Sequence, residues 1–330
     1  MEETIQNRKI LYKAFSNKNA VKYLEKKKFI ASGAQGNVYK YCLNGGGSKV
    51  NKCVVVKKSY IDYKESKFIN DTFVPKALKF NVFIEYAVMK LLNQLVLQKI
   101  CPNFILNYAY IIKERVGVCK DDYPYKALLY NEIVEKGYTF NSWVRENHSI
   151  ELFYNAYFQI VAAVYSMQKY FNMTHLDLHS KNILVKKVQQ GGYWKYIIGE
   201  TEYFVPNLGY IFYVNDFDQT WVPNTFKSWF IRQRYATKNI HKGFDLMFLF
   251  RSTLQFTTSN KAFKSDIRKV IKSLKKNENF EDIIKDLWAE KYQSDNLWKS
   301  VKNRSLIETY DLTKALNKTG IPQQLRFIVV

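Results

Sequence analysis

A chain of 330 residues can bury one or two sizeable cores without covalent help, and a composition of 47% hydrophobic and 16% aromatic residues with 13 Gly and 6 Pro excludes a disordered, collagen-like or low-complexity protein. With 51 Lys and Arg against 29 Asp and Glu, the net charge is +22, a field that attracts nucleotides, phosphoproteins, nucleic acid or anionic lipid without choosing among them.

Residues 1–28 are polar and basic, and Ile10, Leu11, Phe15, Val21 and Leu24 are spaced as one face of one or two helices, which predicts a basic helical extension docked on the domain. From residue 29 the pattern turns strand-like, with KFIASGAQGNVYKYCL, the turn run NGGGS and then KCVVVKKSY, as expected for strands joined by a Gly-rich hairpin. A helix follows from Phe80, then strand-like NYAYIIKE and YKALLYNEIV. Beyond a connector near residues 133–138 the periodicity is helical. Leu152, Tyr157, Ile160, Val161, Val164 and Met167 form a wide apolar stripe. Short strands NILV and YIFYV bracket an insertion rich in Tyr, Trp and Gly, and the chain from about Gly243 reads as helices. The four cysteines, Cys42, Cys53, Cys101 and Cys119, show no C-x-x-C or zinc-ligand spacing, so a reducing compartment is expected. No apolar signal core opens the chain and no run reaches the roughly 18 apolar residues of a membrane span, so a soluble, cytoplasmic protein is expected.

Chemistry concentrates in a few ordered positions. Gly33 and Gly36 fall in a strand-turn-strand context, where glycine lets backbone amides close over a polyphosphate. Lys57 lies on the next strand, with Lys58 as its rival because neighbours on a strand face opposite ways, and Glu85 on the following helix is the right kind of anionic partner. In H175-L-D-L-H-S-K-N-I-L-V185, Asp177 can meet an acceptor hydroxyl while Asn182 meets a metal ion, and Asp216 in V214-N-D-F-D218 can supply the main metal carboxylate. Hard oxygen ligands of this kind, together with phosphate oxygens, select Mg²⁺ or Mn²⁺.

From about residue 29 to 255 the chain resembles the protein kinase superfamily. The Gly-rich loop, strand lysine, helix glutamate, H-x-D-x-x-x-x-N loop and D-F-x motif occur in the family's order. The resemblance implies an α+β, two-lobed kinase-like fold: an extension over 1–28, a small mainly β N-lobe with one long helix over 29–134, and a larger mainly α C-lobe over 135–330. It implies ATP held by Gly33, Gly36, Val38 and Lys57, and by backbone groups of Glu132 and Val134 in a hinge where Asn131 is the gatekeeper. Asp177 becomes the catalytic base, Glu85 the partner of Lys57, Asn182 and Asp216 the metal ligands, and Asp245 a brace for the catalytic loop. Ala31, Leu176, His179 and Asp218 depart from the family pattern, and no A-P-E motif lies between Asp216 and Asp245. With its long insertion, the chain looks like divergent kinases of large DNA viruses and haspin-like kinases.

The implied function is transfer of the ATP γ-phosphoryl group, with Mg²⁺ or Mn²⁺, to a Ser or Thr hydroxyl of a protein substrate, an acidic one if it complements the charge. For a viral chain the expected location is the host cytoplasm or the virion. The alternatives are a small-molecule kinase of aminoglycoside or choline type and a pseudokinase scaffold for anionic polymers. The latter, or non-specific nucleic-acid contact, draws on residues 1–60, which carry 13 Lys and Arg against 3 Glu.

Overall fold

A computed structural model describes residues 5–16, 20–33, 36–43, 53–61, 66–69, 72–75, 81–114, 125–134, 137–146, 149–222, 243–254 and 305–317, with helical positions scattered between 261 and 285. Five antiparallel strands form the largest sheet, in the order β1-β2-β3-β7-β6: β1 (Leu24–Gly33), β2 (Gly36–Leu43), β3 (Cys53–Ile61), β6 (Asn107–Glu114) and β7 (Tyr125–Asn131). A separate hairpin of β4 (Ser66–Ile69) and β5 (Thr72–Pro75) precedes helix α2 (Asn81–Leu97). This helix is apolar almost all round and correspondingly buried from Val82 to Met89.

Two expectations change at the N-terminus. Helix α1 (Ile5–Phe15) forms, with Phe15 buried and Leu11 packed on the core as expected, yet the same face also buries Ile5 and Arg8, while Ile10 is exposed. Residues 24–28 are strand and not helix. Glu25 and Lys26 pair with Cys42 and Tyr41, so a charged run that looks like a solvated helix face is recruited as an edge strand by its partner. The cysteine expectation also fails. Cys42 and Cys53 stand opposite each other in the β2–β3 ladder, Cα atoms 4.0 Å apart, and form a disulfide. Register, and not spacing, makes that pair, and the cysteines therefore give no support for a reducing compartment. Cys119 lies outside the described residues.

Past the connector come β8 (Tyr138–Thr139), the single-turn α3 (Phe140–Trp143) and the long α4 (Ile150–Phe171). Ser149 caps α4 by accepting from the Leu152 amide, and Asn172 ends it in the left-handed conformation at φ 51°. Strand β9 (Ile183–Lys187) is central in a three-stranded sheet, paired with β12 (Tyr210–Val214) on one side and β8 on the other. The insertion is a hairpin of β10 (Tyr193–Ile198) and β11 (Thr201–Pro206). Helix α5 (Phe244–Leu254) follows, and β13 (Leu306–Asp311), in a region read as helical, joins β10 in parallel. Among the described residues beyond 135 there are thus six strands beside three α-helices, the 3-10 turn Ser180–Asn182 and the scattered helical positions. No helix among the described residues is long and apolar enough to cross a membrane.

The apolar faces of α3, α4 and the β8-β9-β12 sheet close on an aromatic cluster. Trp143 stacks on Phe140 at 5.3 Å and meets Phe153 and Phe212 edge-on at 5.3 and 5.1 Å. Trp143→Ala is expected to cost about 3–5 kcal/mol in denaturant unfolding by emptying the centre of this cluster. A loss under about 1 kcal/mol would mean that the neighbours collapse into the space.

Candidate functional site

The positions of Glu85 and Asp216 decide between the two lysines. Lys57 pairs with Val38 on one side and Leu129 on the other, and its ammonium lies 2.8 Å from Glu85 Oε2 and 2.8 Å from Asp216 Oδ1. Lys58 faces the other way, its Nζ 4.6 Å from the centre of the Tyr39 ring. Because directly opposed residues share a face, Val38 lies on the side of Lys57. The β1–β2 hairpin closes at Gly33 and Gly36, with its tip outside the described residues. Gly36 is obligatory there: its φ is 147°, and a Cβ would stand 2.0 Å from the Lys58 carbonyl oxygen.

The loop after α4 is held from below. Both oxygens of buried Asp245 accept backbone amides, Oδ2 from His175 at 2.8 Å and Oδ1 from Leu176 at 2.9 Å. These bonds hold Leu176 at φ 65°, a left-handed conformation unfavourable for a branched side chain. His175 Nε2 lies 3.0 Å from the Asn215 carbonyl oxygen, and its ring packs 5.1 Å from buried Phe217. The Asn182 amide donates to the Asp177 carbonyl at 2.9 Å and to Asp177 Oδ2 at 3.2 Å, while the Asn182 carbonyl accepts from Asn215 N at 3.0 Å. Asp177 and Asn182 are therefore tied to the segment that carries Asp216.

The charges form one coupled group. Burial opposes the charge on Lys57, but Glu85, Asp216 and Asp218 together hold its pKa well above the usual lysine value. Burial pushes the Glu85 carboxyl up, with Lys57 pulling against it. For Asp216, burial is outweighed by the charge and hydrogen bond of Lys57, with help from His175 and His179, and the pKa is lowered. Asp218 is pushed up to about 8, first by burial and then by repulsion from Asp216, with Asp177 adding to it. His179 Nε2 sits 3.6 Å from Asp177 Oδ2.

The chain is similar to a protein named as a viral kinase. It is 27% identical over 212 residues to "Probable serine/threonine-protein kinase 380R" of Invertebrate iridescent virus 6, a match covering 61% of this chain and 37% of that protein. It is 28% identical over 189 residues to "Uncharacterized protein 011L" of Invertebrate iridescent virus 3, covering 51% of this chain and 23% of that one. The chain thus spans well under half the length of either relative. No protein-family model matches it.

Of the residues singled out from sequence, Lys57, Glu85, Asp177, Asn182 and Asp216 come together, braced by Asp245. Val38 lies beside them, and Gly33 and Gly36 close the adjacent hairpin. Glu132 and Val134 follow β7, whose last residue, Asn131, is opposite Val55, two positions from Lys57. The Glu132 side chain points elsewhere, into an ion pair with buried Arg8. Two contributors escaped the sequence reading. Asp218 counted there only as a missing glycine, and Arg8 passed as one more surface cation; its signal was a position three residues after Ile5 and seven before Phe15, on the stripe that α1 buries.

The pKa of Asp218 has a consequence for stability. In the unfolded chain Asp218 ionises near pH 4, about four units lower than when folded. A raised folded pKa means that the contribution to stability is full below about pH 4 and is lost as pH rises through about 8. In metal-free buffer, Asp218→Asn is therefore expected to melt increasingly higher relative to the wild type between about pH 5 and about pH 8.5. Parallel melting profiles would show that Asp218 is ionised throughout.

Proposed function

We propose that the protein is an ATP-dependent phosphotransferase of kinase-like, two-lobed fold, acting on a protein Ser or Thr hydroxyl. The five-stranded sheet with α2 forms the small lobe, and the elements from β8 onward the large one. One observation carries the reading: the Lys57 ammonium is clamped between Glu85 and Asp216, residues 28 and 159 positions away in sequence. The distant likeness to a protein named as a serine/threonine kinase supports it.

In this reading Lys57 directs its charge at the α and β phosphates, and Glu85 fixes the direction of the lysine. Backbone groups of Glu132 and Val134 take the adenine, with Val38 against the ring. Asp177 accepts a hydrogen bond from the acceptor hydroxyl and orients it for in-line attack, taking its proton as the bond to phosphorus forms and the bond to the ADP oxygen breaks. Its anchor is Asn182, which donates its amide N–H to Asp177 and so keeps its amide oxygen for a cation.

The donor set fits Mg²⁺ or Mn²⁺ arriving with the nucleotide. Asp216 and Asn182 offer hard oxygens, and the repulsion from Asp216 that adds to burial in raising Asp218 to about 8 marks an excess of negative charge that a divalent cation would relieve. No group of three or more His, Cys, Asp or Glu side chains able to hold a metal occurs among the described residues. When bound, the metal would neutralise charge on the β and γ phosphates.

A second reading, a small-molecule kinase, draws on His179, which stands beside Asp177 where protein kinases commonly carry lysine. Metal-dependent transfer from labelled ATP to a panel of basic, acidic and small-molecule acceptors separates the two. Asp177→Asn is expected to lower kcat by about 10²–10⁴ with little change in the KM for ATP. Asp216→Ala is expected to abolish transfer while the protein still melts cooperatively. Transfer by Asp216→Ala at the wild-type rate would refute the assignment.

A further inference from the structure

We infer that Arg8, outside the kinase-like region, is a positioning residue for nucleotide binding, acting through Glu132. The inference rests on the proposed kinase reading, in which the backbone after β7 takes the adenine.

Arg8 is 3% exposed and Glu132 8%, so neither charge is dissolved in water and each depends on the other. The pair is bidentate: Arg8 Nε donates to Glu132 Oε1 at 2.9 Å and Nη2 to Oε2 at 2.6 Å. Nη1 donates to the Pro102 carbonyl at 2.7 Å, and Nη2 also to the carbonyl of Phe104. Below the guanidinium lies the Tyr213 ring, 5.2 Å away on β12, the strand that leads to Asp216. One side chain thus gathers the segment after α2, the end of β7 and the strand before the metal aspartate.

Glu132 is then fixed at two points. Its amide donates to the Leu106 carbonyl at 2.8 Å, and its Oε2 accepts the Leu106 amide at 3.1 Å while held by Arg8. Fixing the amide and the side chain of one residue leaves its carbonyl little freedom to turn. That carbonyl and the Val134 backbone are the groups assigned to adenine. Helix α1 is itself fastened, since Glu308 on β13 accepts the Ile5 amide at 2.9 Å and pairs with Lys99 at 2.6 Å. The two ends of the described chain therefore hold the back of the nucleotide segment. Lysine cannot replace Arg8, because a point charge cannot make the fork and the two carbonyl contacts together.

The test measures steady-state kinetics of the full chain with MgATP. Arg8→Lys is expected to raise the KM for ATP about tenfold while kcat at saturating ATP stays within about twofold and the KM for the acceptor is unmoved. A side chain that only held the fold would lower the melting temperature and the active fraction, reducing kcat at constant KM. That pattern, or an unchanged KM in a folded variant, overturns the inference. If Arg8→Lys does not fold, the double variant Arg8→Met/Glu132→Leu removes both buried charges together; a raised KM for ATP supports the inference and a wild-type KM overturns it. Calorimetry of wild-type protein with MgATP separates the two levels of argument. Binding by the wild type with an unaltered KM in the variants sinks the positioning role alone, whereas no binding sinks the kinase reading and this inference with it.

Discussion

Three parts of the fold meet at a single ammonium. Lys57 reaches from β3 to a carboxylate on α2 and to another beyond β12, and each of those contacts is 2.8 Å long. Such a buried charge would be untenable alone, so the site and the fold are conditions of each other. Glu85 is carried by a helix buried nearly all round, which leaves its carboxyl almost no water and makes Lys57 its main source of stabilisation. Asp216 is held at φ 65°, a conformation that costs a non-glycine residue roughly 1–3 kcal/mol. The bond to Lys57 and the packing of Phe217 beside His175 and Phe104 are what offset it.

What the sequence made legible was local and ordered. The apolar run of α4 follows from side-chain chemistry within one helix, although the helix buries every residue from Phe153 to Met167 and not one stripe alone. Lys57, Glu85, Asp177, Asn182 and Asp216 could be named because each role needs one residue type at one place in a fixed order. Alternation left Lys57 and Lys58 open, and only the positions of Glu85 and Asp216 resolve it. The pieces that escaped depend on pairing across long separations. Leu306–Asp311 is strand because β10 offers it a parallel edge, which its own periodicity does not announce. Cys42 meets Cys53 through the β2–β3 register, and the charged start of β1 is strand because β2 lies beside it.

Arg8 illustrates the remaining gap. A helix normally buries its apolar stripe, and Ile10 looked like part of one. The actual stripe runs through Ile5, Arg8, Leu11 and Phe15, because a guanidinium that finds a carboxylate and two carbonyls is cheaper to bury than its charge suggests. That partner set is 94 to 124 residues distant, so no local pattern encodes it. A lone cation on an apolar stripe is the sequence sign of such a pair.

The sign of the whole chain and the sign of its site are opposed. A net charge of +22 draws polyanions toward the protein from a distance, whereas Glu85, Asp216 and Asp218 gather around one lysine at short range, with Asp177 near Asp218. A bare triphosphate entering that group would meet the same carboxylates that, after burial, raise the pKa of Asp218, while a triphosphate carrying divalent cations meets complementary charge. On the proposed reading, the long-range field sets how often nucleotide arrives and the carboxylates set in which form it stays. The proton on Asp218 then stands, in the metal-free protein, where part of the cation's charge would otherwise be felt.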